Sequence, residues 1–146
     1  YKLVKQNRKS ILVKLLIFLV VAALIKEALN INSAPPPISQ QLNDYVNSLN
    51  KRCPMVIDST ITLSNCVAIA GNRLHFNYQA TRVAKEDVDT VSLILDSRQY
   101  VVNMIKTDPN MALFKKNELS FTATYYDMTG NYICGLAVTP ADYKEK

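Results

Sequence analysis

The chain has 146 residues and a formal net charge of +5. The excess lies in residues 1–29, which hold six basic residues and one acidic residue, so that the remaining 117 residues carry 11 of each sign. A domain without net charge argues against nucleic-acid binding, and three glycines are too few for a glycine-rich phosphate loop.

An apolar segment at residues 11–25 follows four of the N-terminal cations. With its flanks it predicts a transmembrane helix over residues 11–31, about 31 Å long at 1.5 Å per residue, with the N-terminus in the cytoplasm. A cleaved signal peptide is the alternative for this pattern. The predicted organisation is thus a basic flank at 1–10, the span, a Pro-rich spacer at 32–37 and an exported domain at 38–146.

Seven elements are predicted within that domain. Ile38, Leu42 and Val46 recur at helical spacing, and Pro54 favours a helix end shortly before it. Two strands follow at 60–70 and 73–81, separated by the turn dipeptide at 71–72. The remaining predictions are a helix from Asp89 or Thr90 to about Ile105, a short helix after Asp108, and strands at 119–126 and 132–138.

This order predicts an α+β fold class: a single N-terminal transmembrane helix followed by a small α-β-β-α-β-β domain. Two hairpins separated by helices favour one four-stranded antiparallel sheet with the helices on one face. Alternation along the strands predicts an inward-facing set of Leu74, Phe76, Tyr78, Leu119, Phe121, Tyr125, Tyr132, Leu136 and Val138.

Three cysteines follow the apolar segment, so the predicted topology places them in an oxidising compartment where disulfides persist. Cys66 and Cys134 lie on strands of different hairpins, and we predict them as the candidate disulfide. A bridge between Cys53 and Cys66, closing a loop of 14 residues, is one alternative. Three buried free thiols are the other.

The sequence predicts no catalytic, cofactor-binding or metal-binding residues. It has no Cys-x-x-Cys motif, and its one histidine, His75, lies on the polar side of a strand. A Cys–His nucleophilic pair would need a cysteine on that same side, whereas Cys134 alternates with core positions. We therefore expect a protein that is not an enzyme and needs no cofactor.

Three motifs resemble a group of small, mostly uncharacterised bacterial envelope proteins. They are the Pro-Met-x-Val/Ile-Asp opening at 54–58, the Gly-Asn-x-Leu/Phe strand at 71–74 and the Tyr-x-Asp-x-x-Gly hairpin at 125–130. The resemblance covers about 90 residues from 49 onward and implies a bacterial, exported α+β domain, but no activity. The cysteine that the group carries in its second helix is absent from this chain.

The functional prediction is a non-enzymatic accessory or assembly subunit of a bacterial inner-membrane protein complex, single-pass, with its domain in the periplasm. Its expected partners are membrane lipid and integral membrane protein subunits, and not nucleic acid. Lys14, Ala22 and Ala23 are the candidate contacts of the span, because a charge there needs a partner and small residues permit close helix packing. The alternative is a free-standing, membrane-tethered periplasmic module that binds a peptide or ligand.

Overall fold

A computed structural model describes residues 36–144, in which five strands form one sheet and four α-helices accompany it. Two short 3-10 helices, at Lys85–Asp87 and Pro109–Met111, flank the longest α-helix. In chain order the elements are α1 (Ile38–Asn50), β1 (Met55–Asp58), β2 (Ile61–Ile69), β3 (Arg73–Ala80), α2 (Thr90–Thr107), α3 (Ala112–Lys116), β4 (Ser120–Tyr126), β5 (Tyr132–Val138) and α4 (Pro140–Tyr143).

The two long helices bury apolar stripes against the same side of the sheet. Leu42, Val46 and Leu49 are the buried residues of α1, which packs on β2. The helix α2 buries Val101 and Ile105 among others, and it packs on β5. As predicted, Asp89 caps α2 by accepting a hydrogen bond from the Ser92 N–H, and Asp108 caps the following 3-10 helix. The helices therefore lie over opposite halves of the sheet.

The sheet is mixed, and the predicted four-stranded antiparallel sheet is wrong. Its order is β1-β2-β3-β4-β5, and β3 pairs with β4 in parallel while the other neighbours are antiparallel. The reason is the length of the connection, because 18 residues of helix span about 27 Å and eight strand residues about 26 Å. One long helix therefore returns the chain to the end where β3 began, and β4 starts in the same direction.

The strand β1 adds the fifth member of the sheet and has no counterpart in the sequence prediction. It has only four residues and pairs with β2 through Met55 opposite Leu63 and Val56 opposite Thr62. A segment this short directly after Pro54 shows too little alternation to be recognised from the sequence. It forms one edge of the sheet, and β5 forms the other.

The centre of the core is the contact between Phe76 on β3 and Phe121 on β4, whose ring centroids lie 5.2 Å apart. The predicted inward set is largely buried, but Tyr132 is 52% exposed. The register of the β4–β5 ladder is irregular between Tyr125 and Tyr126, opposite Tyr132, and this interrupts the alternation of faces. The Tyr132 hydroxyl lies over Gly135, where an added Cβ would be 3.2 Å from the phenol oxygen.

The sequence predicts a transmembrane helix, and the described structure does not contain one. No helix within residues 36–144 is both long enough and apolar enough to cross a bilayer. The predicted span at 11–31 lies outside the described residues, as do Lys14, Ala22 and Ala23. The predicted fold class is therefore corrected to a mixed α/β domain with a five-stranded sheet.

The turn between β4 and β5 is organised by the buried carboxylate of Asp127. Its Oδ1 accepts hydrogen bonds from the N–H and hydroxyl of Thr129, at 2.9 and 2.8 Å, and from the Asn131 N–H at 2.8 Å. Its Oδ2 accepts from the side-chain amide of Asn131 and from the backbone N–H of Lys85, which precedes α2 in the chain. Burial raises the pKa of Asp127, but the bonds from Asn131 and Thr129 outweigh it and hold the pKa well below its usual value.

We expect Asp127→Asn to lower the free energy of unfolding at pH 7, because the amide accepts fewer bonds than the carboxylate. A carboxyl with a lowered pKa in the folded state stabilises the protein above its unfolded pKa of about 3.9 and loses that contribution as the pH falls. The difference between wild type and variant should therefore shrink from pH 7 to pH 3 in urea unfolding. Asp44→Asn, at an exposed site on α1, is the control. Equal unfolding midpoints for wild type and D127N at pH 7 would contradict the assignment.

Candidate functional site

His75 lies on the face of the sheet opposite to the helices, within a network of polar side chains. Its Nδ1 is 2.8 Å from the Thr122 hydroxyl, and its Nε2 is 3.1 Å from the Asn77 side-chain oxygen and 3.3 Å from the Thr124 hydroxyl. The neighbouring strand residues Leu74 and Phe76 point into the core instead. No thiol therefore lies beside the imidazole, and the ring serves to order this face.

The opposite, inner face carries a group of neutral hydroxyls and thiols that we call the phenol–thiol cluster. The register places Leu63, Tyr78, Tyr125 and Cys134 side by side across four strands. The side chain of Tyr45 reaches the same region from α1 and interacts electrostatically with Tyr78. The members of the cluster are Tyr45, Cys53, Cys66, Tyr78, Tyr125 and Cys134.

Stacked aromatic rings form the middle of the cluster. Tyr78 and Tyr125 are cross-strand neighbours in the parallel pair, and their rings stack 5.2 Å apart with an interplanar angle of 16°. Phe76 continues the stack at 6.4 Å from Tyr78. Because α1 packs on β2 and α2 on β5, these rings lie on the two strands between the helices. They form a rigid apolar layer in which Phe76 and Tyr125 are buried and Tyr78 is partly exposed.

The hydroxyl groups of Tyr45, Tyr78 and Tyr125 make no hydrogen bond to any residue within 36–144. Burial raises the pKa of all three phenols, so each remains a neutral donor at physiological pH. Because none of the three hydroxyl oxygens is a fully buried atom without a partner, a bound acceptor would replace water at these groups. The cluster is therefore suited to uncharged acceptors such as peptide carbonyl groups, and not to anions or metals.

The thiols of the cluster are poor nucleophiles. Burial, with a smaller effect of the nearby Cys53, raises the pKa of the Cys66 thiol to about 12, and burial raises that of Cys134 to about 11. Cys53 is half-buried, and burial raises its pKa as well. Because only a thiolate attacks, none of the three is activated for catalysis. Among the described residues, no three His, Cys, Asp or Glu side chains gather in a way that could hold a metal ion.

The fold does not bring the candidate disulfide together. Cys66 on β2 and Cys134 on β5 are both free, and β3 and β4 lie between their strands. Three interstrand steps of about 4.8 Å separate the backbones by about 14 Å, whereas a disulfide joins Cα atoms no more than about 7 Å apart. Cys53 and Cys66, the alternative pair, both donate backbone hydrogen bonds to Asn50 and are also free.

The sequence predicts Tyr78 and Tyr125 as core residues and does not mark them as site residues. Alternation shows which face a strand residue takes but does not distinguish a ring that only packs from one whose hydroxyl lacks a partner. The signal in the sequence that could indicate a site is tyrosine, rather than phenylalanine, at inward-facing positions, because a buried phenol needs a hydrogen-bond partner.

We expect one thiol of the fully reduced protein to react with the alkylating reagent N-ethylmaleimide at pH 8, and two to remain protected until the protein unfolds. The reactive group is Cys53, because Cys66 and Cys134 are buried and burial raises the pKa of their thiols to about 12 and about 11. The number of adducts per chain, followed over time by mass spectrometry, measures this. In C53S the fast phase should disappear, and a fast phase of two or three thiols in the wild type would contradict the burial described here.

No protein-family model matches the chain, and no curated protein is significantly similar to it in sequence. Solved structures with the same fold do exist. The type 2 secretion system pilotin EpsS of Vibrio vulnificus is 13% identical, with a TM-score of 0.56, covering 75% of this chain and 94% of its own. The type II secretion system pilotin AspS of Vibrio cholerae is 11% identical, with a TM-score of 0.52, covering 72% of this chain and 91% of its own.

A third structure with this fold is a candidate secreted protein from Pseudomonas aeruginosa. It is 11% identical, with a TM-score of 0.55, over 73% of this chain and 93% of its own. At these identities the likeness shows a shared fold. The single-pass inner-membrane location predicted from the sequence is corrected here, because neither the described helices nor these three neighbours support it.

Proposed function

We propose that this protein is a non-enzymatic accessory component of a bacterial secretion system, with a domain that binds a segment of another protein of that system. The observation that carries the proposal is the fold. Nine tenths or more of the length of two secretion-system pilotins superposes on this chain, so the likeness extends over their whole domain.

The phenol–thiol cluster supports a protein as the partner. Its three tyrosine hydroxyls are neutral donors set on an apolar floor, and a peptide segment supplies carbonyl acceptors together with apolar side chains. Tyr45 of α1 and Tyr78 of β3 are the partly exposed tyrosines of the cluster, and the buried Tyr125 of β4 stacks on Tyr78. Such rigid aromatic groups bind with little loss of conformational entropy.

The raised thiol pKa values and the position of His75 support a role without catalysis. Both buried cysteines are protonated at neutral pH, and the imidazole lies on the other side of the sheet. A protein of this kind acts by binding, and its contribution is the assembly or stability of the partner.

The test is to delete the coding sequence in the bacterium that encodes the protein and to compare secreted with cell-retained proteins by mass spectrometry. We expect the normally secreted proteins to accumulate in the cells. Unchanged secretion after deletion would contradict the proposed function.

Site variants then test the cluster separately. Tyr45→Phe, Tyr78→Phe and Tyr125→Phe together remove the three donors and keep the rings, so that the fold is retained and can be checked by circular dichroism. We expect this triple variant to reproduce the deletion, whereas the control Tyr132→Phe, at an exposed site outside the cluster, secretes like wild type. Normal secretion by the triple variant would place the binding surface elsewhere while leaving the proposed function in place.

A further inference from the structure

Cys53 and Cys66 are joined through a single residue, Asn50, at the end of α1. The Asn50 side chain donates to the Cys66 carbonyl at 2.8 Å and accepts from the Cys66 N–H at 2.9 Å. Its backbone carbonyl accepts from the Cys53 N–H at 3.1 Å. The Cys66 sulfur lies 3.5 Å from the Asn50 side-chain oxygen. Both cysteines are thus fixed around the same point.

Both cysteines lie at the same end of the β1–β2 ladder. The ladder begins with Met55 opposite Leu63, so the chain before Met55, which includes Cys53, lies toward the part of β2 that carries Cys66. Between Leu63 and Asn65 the register of β2 shifts, so Asn65 is exposed and Cys66 is buried. Cys53 packs against the same core, and the two thiols interact electrostatically.

We propose that Cys53 and Cys66 form a disulfide when the protein is in an oxidising compartment, and that Cys134 remains a free thiol. A disulfide requires Cα atoms no more than about 7 Å apart, and the hydrogen bonds of both cysteines to Asn50 hold their backbones close to one point. The bridge closes a loop of 14 residues and attaches the end of α1 covalently to β2. This inference is independent of the partner that the protein binds.

The oxidant is a small or protein disulfide, and oxidised glutathione serves as the example. The thiolate of the half-buried Cys53 attacks one glutathione sulfur, so that a mixed disulfide forms and one reduced glutathione leaves. Cys66 then loses its proton to solvent and attacks the Cys53 sulfur, which releases the second glutathione. Two protein thiols are oxidised and one glutathione disulfide is reduced, so electrons and protons balance.

The bridge supports the helix that frames the phenol–thiol cluster. Val46 and Asn50 of α1 already contact Cys66, and Tyr45 belongs to the cluster. A covalent link at the end of α1 limits separation of this helix from β2. We therefore expect oxidation to raise the temperature of unfolding, and reductant to lower it in the wild type but not in C53S.

The test uses the protein from residue 1 to residue 146, equilibrated with oxidised and reduced glutathione, quenched in acid, denatured and alkylated with iodoacetamide. We expect one carbamidomethyl group per chain without reduction and three after reduction, with peptide mapping assigning the first to Cys134. The matched variants are Cys134→Ser, which should take up none before reduction, and Cys53→Ser, which should lose the bridge.

Three results would overturn the proposal. They are alkylation of all three cysteines after equilibration with glutathione, a stable glutathione adduct on Cys53 with Cys66 free, and a bridge that includes Cys134. Because the mass and the peptide map of the wild type together distinguish these results from the expected one, the test does not depend on any variant folding.

Discussion

The parallel pairing of β3 with β4, closed by the contact of Phe76 with Phe121, is the constraint on which the rest of the fold depends. Those two rings are 0% and 1% exposed, and every other strand adds to this pair from one side or the other. The pairing requires a crossover, and α2 supplies it with the length needed to reach the far end of the sheet. Burial of two phenylalanine rings offsets part of the entropy lost in closing so long a connection.

The same pairing produces the candidate site. In a parallel ladder Tyr78 and Tyr125 are direct neighbours, which allows their rings to stack and brings their hydroxyls together. The two long helices pack on either side of this pair, α1 on β2 and α2 on β5. Neutral phenols therefore occupy the middle of the inner face of the sheet.

Much of the secondary structure follows from the sequence, but the sheet order does not. Alternation at Leu74 and Phe76 and the caps at Asp89 and Asp108 depend on neighbours along the chain, and these local predictions are confirmed. The side of β3 on which β4 pairs depends on how α2 returns, which no local pattern encodes. Tyr132 departs from its predicted face because a register shift interrupts the alternation. The cluster depends on sheet order, so it could not be predicted either.

Amide hydrogen exchange, followed by NMR, tests the central position of the β3–β4 pair most directly. We expect the slowest exchange at the amides that link these two strands, from Arg73 opposite Ser120 to Gln79 opposite Tyr126, and faster exchange along the four-residue edge strand β1. Exchange at the amides between β3 and β4 as fast as in β1 would contradict it.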